Sequence, residues 1–169
     1  MPTIAKANRK KLQAMIDAEY GYRDYQDDHV EVRMSKKAGR GVFAMRQFEP
    51  GEFVMEITGQ LLRQKDYEGS TYVMELDSTW YVEPGIPGAF INHSCSPNCE
   101  LIQVSDFSLG LVAICNIEEG SELSFDYQWE AYDWTPKCLC GSRNCRGWVV
   151  AASDLKKMKK LAKASKKPK

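Results

Sequence analysis

From His29 onward the chain alternates. Val30, Val32 and Met34 are apolar, and His29, Glu31 and Arg33 between them are polar or charged. That two-residue period predicts a half-buried strand. Short apolar runs follow at Val42–Met45, Phe53–Ile57, Tyr72–Leu76, Trp80–Val82, Leu101–Val104, Leu109–Cys115 and Leu123–Phe125. Turns rich in glycine, proline and acid separate them, among them Ala38-Gly39-Arg40-Gly41, Glu49-Pro50-Gly51 and Glu118-Glu119-Gly120. Many short strands at close spacing predict several small curved sheets, not a parallel α/β sheet. Residues 3–20 read instead as a helix, with Ile4, Leu12, Met15 and Ile16 loosely at helical spacing. Asp154 stands as an N-cap for a second short helix over Leu155–Ala164, whose weak stripe is Leu155, Met158 and Ala162. The expected class is mainly β, with one helix before the sheets and one after them.

Charge changes this picture at one end. The formal net charge is zero, but Leu155 to Lys169 holds eight lysines and no acid. The rest of the chain therefore carries 15 basic and 23 acidic residues, a net of −8. An acidic body favours cationic ligands. The tail lacks arginine and interleaved aromatics, so it is either a solvated tail that aids solubility or, at most, a salt-sensitive, non-specific contact with nucleic acid or an acidic partner. No apolar run approaches the roughly 18 residues of a membrane span, and the first residues lack a signal-peptide core. An intracellular protein, not secreted, is expected. Its 169 residues suffice for one domain with a real core, and its six cysteines are expected as reduced thiols or metal ligands.

Three of those cysteines sit in Cys138-Leu139-Cys140-Gly141-Ser142-Arg143-Asn144-Cys145, a C-x-C-x4-C spacing. Three thiolates this close suit three corners of a tetrahedral zinc site. The fourth ligand must come from elsewhere: Cys95, Cys99, Cys115 and the two histidines are the candidates. Cys115 lies in an apolar run and reads as a core residue. Cys95 lies on the polar loop of Phe90-Ile91-Asn92-His93-Ser94-Cys95-Ser96-Pro97-Asn98-Cys99 and is the favoured donor.

That stretch, with Glu122-Leu123-Ser124-Phe125-Asp126-Tyr127 and the cysteine segment with its trailing Arg146-Gly147-Trp148, resembles the SET-domain protein lysine methyltransferases with a C-terminal zinc-binding (post-SET) segment. The likeness spans roughly residues 29–150 and follows the family's motif order. It implies small curved sheets around a pseudoknot, and transfer of methyl from S-adenosylmethionine to a lysine ε-amine of a protein, a histone tail being plausible. By that resemblance Tyr127 and Tyr72 serve catalysis. Arg40, Gly41, Tyr72, Asn92, His93 and Trp148 hold the cofactor. Phe125 sets the number of methyl groups, leaving room for two or three. Cys95, Cys138, Cys140 and Cys145 hold one structural zinc. The implied layout is a helical extension over 1–28, the SET domain over 29–130, the zinc segment over 131–150 and a lysine-rich tail over 151–169. A nuclear or chromosome-associated setting follows from a histone substrate. Two positions depart from the common pattern: Ala89 replaces a frequent arginine, and Gln60 a frequent glutamate.

Overall fold

The computed structural model describes residues 25–67 and 72–165. The predicted helix over 3–20 lies outside them. Eleven strands, one α-helix and three single-turn 3-10 helices are formed among the described residues. In chain order the strands are β1 (Tyr25–Gln26), β2 (Val30–Met34), β3 (Arg40–Ala44), β4 (Phe53–Ile57), β5 (Gly59–Arg63), β6 (Met74–Glu75), β7 (Trp80–Pro84), β8 (Asn92–His93), β9 (Cys99–Ser105), β10 (Ser108–Ala113) and β11 (Ser124–Phe125). The helix α1 covers Leu155–Ala164.

These strands make three small antiparallel sheets, ordered β1-β2-β3, β4-β10-β9 and β5-β7-β6, and one two-stranded pair. The predicted alternation in β2 holds: Val30 and Val32 are buried opposite Ala44 and Val42 of β3. Gly39, at φ 56, supplies the left-handed residue that the turn between them requires. The apolar faces of the sheets meet in one core that includes Val54, Ile57, Leu111 and Ile117. Each such buried side chain contributes about 1.5–3 kcal/mol.

The fourth pairing positions the site. β8 and β11 run parallel, with Ser124 opposite Asn92 and Phe125 opposite His93. About thirty residues separate them in sequence, so the second passes beside the first as the expected pseudoknot. Buried neighbours hold both: Ile91 precedes β8 at 1% exposure and Leu123 precedes β11 at 0%. Ser94 N–H extends the pairing by donating to Phe125 O at 3.1 Å. Truncating Leu123 to alanine should cost about 2–5 kcal/mol and loosen the crossing.

Several boundaries differ from the sequence reading. The run Tyr72–Leu76 yields a strand only over Met74–Glu75. β10 stops at Ala113, so Cys115 is exposed, and Cys99 is the thiol inside the core. Asp154 stands at the N-cap position of α1 without capping it. Its Oδ2 accepts the Ala131 N–H at 2.8 Å instead. That bond ties α1 to the chain beyond β11, where Met158 packs with Ala131 and Val150 in a second small core.

Candidate active site and thiol cluster

Asn92 ties three segments together. Its Nδ2 donates to Arg40 O at 2.9 Å and lies 2.7 Å from Glu122 Oε1 and 3.3 Å from Ala38 O. Glu122 accepts a second bond from Ser35 Oγ at 2.9 Å. A Cβ on Gly41 would stand 2.5 Å from Glu122 Oε1 and 3.2 Å from Asn92 Nδ2, so a larger residue there would push the Glu122 carboxylate aside. Asn98 braces the same crossing, with Nδ2 donating to Glu122 O and Oδ1 accepting the Ser124 N–H, both at 2.9 Å.

Tyr127 follows directly. Its hydroxyl donates to Ile91 O at 2.7 Å and its N–H to His93 Nδ1 at 3.1 Å. The Phe125, His93 and Trp129 rings lie 4.9, 5.2 and 5.4 Å from its ring. Burial, with the charge of Glu122 second, pushes the phenol well above its ordinary pKa, so it stays protonated at neutral pH. Burial pulls His93 down to about 4, against the opposing pull of Asp126, so its ring is neutral. With Nδ1 accepting from Tyr127, the proton sits on Nε2, which faces Cys95 Sγ at 3.4 Å.

The sulfurs of Cys95, Cys138, Cys140 and Cys145 all lie within 4.8 Å of one another. Cys95 and Cys138 are 3.7 Å apart, close to the ~3.8 Å edge of a tetrahedron with ~2.3 Å Zn–S bonds. Around them stand donors suited to thiolates: the N–H groups of Cys140, Arg146 and Gly147 each lie 3.4 Å from a sulfur, and Ser142 Oγ lies 3.2 Å from Cys140 Sγ. Four thiols so grouped, with hydrogen bonds to three or more of them, fit a structural zinc ion. The fold brings Cys95, the donor favoured from the sequence, to the other three sulfurs. Cys99 is 1% exposed, and burial raises its thiol to about 12, as expected of an inert core cysteine.

A cavity of about 180 Å³ lies where the crossing meets the thiol segment. Asn92, His93, Glu122 and Tyr127 line it, together with Leu139 and Val149. Leu139 is otherwise 66% exposed, an apolar side chain with an uncovered face beside the opening. Lys37 and Lys137 stand at the same cavity as Glu122. Both charge signs are therefore present, as a zwitterionic amino-acid group requires.

The structure places the remaining predicted residues as follows. Arg40 and Gly41 begin β3, against Asn92. Phe125 is buried beside Tyr127. Tyr72 is half-buried in the bend ahead of β6. Trp148 packs against the second core, with Lys137 Nζ 3.5 Å from its ring centre, and Val149 is the neighbour that reaches the cavity. Three residues were not singled out from the sequence: Glu122, Asp126 and Arg146. The Arg146 guanidinium donates to Asp126 Oδ1 at 2.7 Å. A charge beside each motif was visible, but no spacing signals a pair twenty residues apart.

Comparison with known proteins identifies the fold. The SET-domain family model matches residues 39–128. The chain belongs to the SET-domain family. It is 34% identical over 140 residues to histone-lysine N-methyltransferase trr of Drosophila melanogaster, covering 72% of this chain and 6% of that protein. It is 33% identical over 138 residues to human histone-lysine N-methyltransferase SETD2, covering 71% of this chain and 5% of that one. Against the H3 lysine-36 specific enzyme of Emericella nidulans it is 31% identical over 155 residues, covering 81% and 16%. Among solved structures, KRYPTONITE in complex with mCHG DNA and SAH superposes with a TM-score of 0.61 at 29% identity, over 71% of this chain and 28% of that one. The chain thus spans a small fraction of the length of these relatives.

Proposed function

We propose that this chain is a protein-lysine N-methyltransferase that uses S-adenosylmethionine and acts on a histone or another basic protein. One observation carries the reading: Tyr127 and the Asn92–His93 strand share one cavity, which the segment carrying the thiol cluster also lines. Relatives named as histone-lysine methyltransferases support it, as does a structural neighbour solved with SAH. The residues fit the donor: Glu122 and the lysines at 37 and 137 can meet a zwitterion, and Leu139 and Val149 offer apolar cover.

Bound S-adenosylmethionine supplies an electrophilic methyl on a sulfonium. The chain's own task is to align an amine with it and exclude water. A lysine ε-amine with a free pKa of about 10.4 must be neutral to react, and a dry apolar channel lowers that value. No strong base is needed. Tyr127 cannot act as one, because its phenol holds its proton. With that proton given to Ile91 O, the oxygen lone pairs remain to accept weak contacts from a polarised methyl. Asn92 and His93, with the Arg40–Gly41 turn, hold the cofactor. Trp148 braces the lid beside it, and Tyr72 lines the approach to the amine. Phe125 leaves space for two or three methyl groups. In this reading residues 29–130 form the SET domain, 131–150 the zinc lid and 151–169 a basic tail for docking on nucleic acid. A histone substrate places the protein at chromatin. No helix among the described residues is long and apolar enough to cross a membrane.

The test is transfer from labelled S-adenosylmethionine to a panel of histones and cell extract, beside Tyr127→Phe. Label on a lysine of one protein, lost in the variant, is expected. Binding of S-adenosylhomocysteine with no transfer to any protein would favour a silent SET module acting as a scaffold. Transfer only to non-histone protein would relocate the substrate.

A further inference from the structure

Tyr127 sits in a turn that its own strand does not account for. Gln128 has φ 54, the left-handed region that side chains disfavour. Asp126 closes the turn, its Oδ1 accepting the Gln128 N–H at 3.2 Å. The same oxygen accepts Arg146 Nη2–H at 2.7 Å, and the two side chains are only 11% and 15% exposed. Arg146 follows Cys145 directly, and its N–H donates to Cys95 Sγ at 3.4 Å. His93 does not compete for the carboxylate. Its Nδ1 is 3.6 Å from Asp126 Oδ1 but already accepts the Tyr127 N–H.

We propose that Arg146 is a positioning residue: by pairing with Asp126 it holds the 126–128 turn, and so Tyr127, in place whenever the thiol segment is folded. The segment then has two separate grips on the crossing, Cys95 through metal and Asp126 through charge. Without Arg146 the covered Asp126 carboxylate loses its cation and turns toward water, releasing the Gln128 N–H. Release of the turn shifts the phenol relative to the cavity, and a displacement of about 1 Å there costs roughly 100-fold in rate. The effect on turnover rests on the methyl-transfer reading; the effect on the turn does not.

The test uses the full chain with Arg146→Met, Arg146→Lys, Asp126→Asn and the double variant Arg146→Met/Asp126→Asn. Bound zinc, hydrogen exchange at residues 127–128 and methyl-transfer kinetics are measured for each. Arg146→Met should keep the wild-type zinc content. Its amides at 127–128 should exchange at least about tenfold faster, and its turnover should fall roughly ten- to 100-fold with KM little changed. Arg146→Lys should recover part of both. The double variant should be no worse than Asp126→Asn alone, as expected of one shared interaction. Wild-type exchange at 127–128 in both single variants, or additive losses in the double, would overturn the proposal. If Arg146→Met sheds its zinc, Asp126→Asn, which is not next to a ligand, decides. If the wild type transfers no methyl to any protein, exchange still decides the latch while the functional reading fails.

Discussion

Removing the metal should unfold one segment and spare the rest. Residues 136–147 are twelve in number, and Cys140 is their one buried residue. Ordering them costs about 18 kcal/mol at roughly 1.5 kcal/mol per residue. Against this stand hydrogen bonds such as Cys138 N–H to Gly147 O, Cys145 N–H to Ser142 O and Val149 N–H to Pro136 O. At about 1 kcal/mol each they return about 3. The Arg146–Asp126 pair adds about 2–3 kcal/mol as a charged hydrogen bond. The shortfall is about 12 kcal/mol, within the roughly 10–16 kcal/mol that a structural zinc supplies. The assay is trypsin digestion before and after chelation, with bound zinc measured in parallel. Lys137, Arg143 and Arg146 should become cleavable as the metal leaves, while the sheets keep their far-ultraviolet signature. Protein freed of zinc that still resists cleavage at those sites would refute the accounting. So would fully folded protein purified without metal.

Four further outcomes follow from the same geometry. Tyr127→Phe should lower turnover by at least about 100-fold and, by leaving Ile91 O unpaired, cost about 1–3 kcal/mol in thermal unfolding. Gly41→Ala should displace the Glu122 carboxylate from Asn92 and cost about 1–3 kcal/mol in thermal unfolding. Mass spectrometry should find two or three methyl groups on the product lysine, and Phe125→Tyr should shift it toward one. Raised pH should reveal Tyr127: the folded chain keeps a phenolic proton that the unfolded chain loses near pH 10. Stability should therefore be complete below pH 10 and fall as pH rises past it. Tyrosinate absorbance of native protein should lag behind denatured protein by more in wild type than in Tyr127→Phe.

Much of this was readable beforehand, for physical reasons. β2 buries one face, so a two-residue alternation exposed it, while β3 is buried from Gly41 to Ala44 and showed as a continuous apolar run. Cys95 was favoured as the fourth donor because the C-x-C-x4-C segment offers none and Cys95 follows His93-Ser94 on a polar loop. β5 escaped notice: all its residues are exposed or half-exposed, so Gly59–Arg63 carries no alternation to read. β8 and β11 hold two residues each, too few for any period. Their meeting was legible through family resemblance alone, since pairing at this range leaves no local trace. Cys115 was misplaced because an apolar run does not mark where its strand ends. Asp154 had the right residue type at the right position, but a tertiary donor, the Ala131 N–H, claimed its carboxylate. Tertiary contacts of that kind also hid the Arg146–Asp126 pair.

The segment that flanks the cavity is made from residues that come after β11, the last strand among the described residues. During synthesis the sheets and the crossing can leave the ribosome and fold while the last cysteine is still in the exit tunnel. Such a nascent chain has a core but no roof, and so no enclosed place for a small molecule. Competence to bind therefore begins late and abruptly, when Cys145 emerges and a metal ion is at hand.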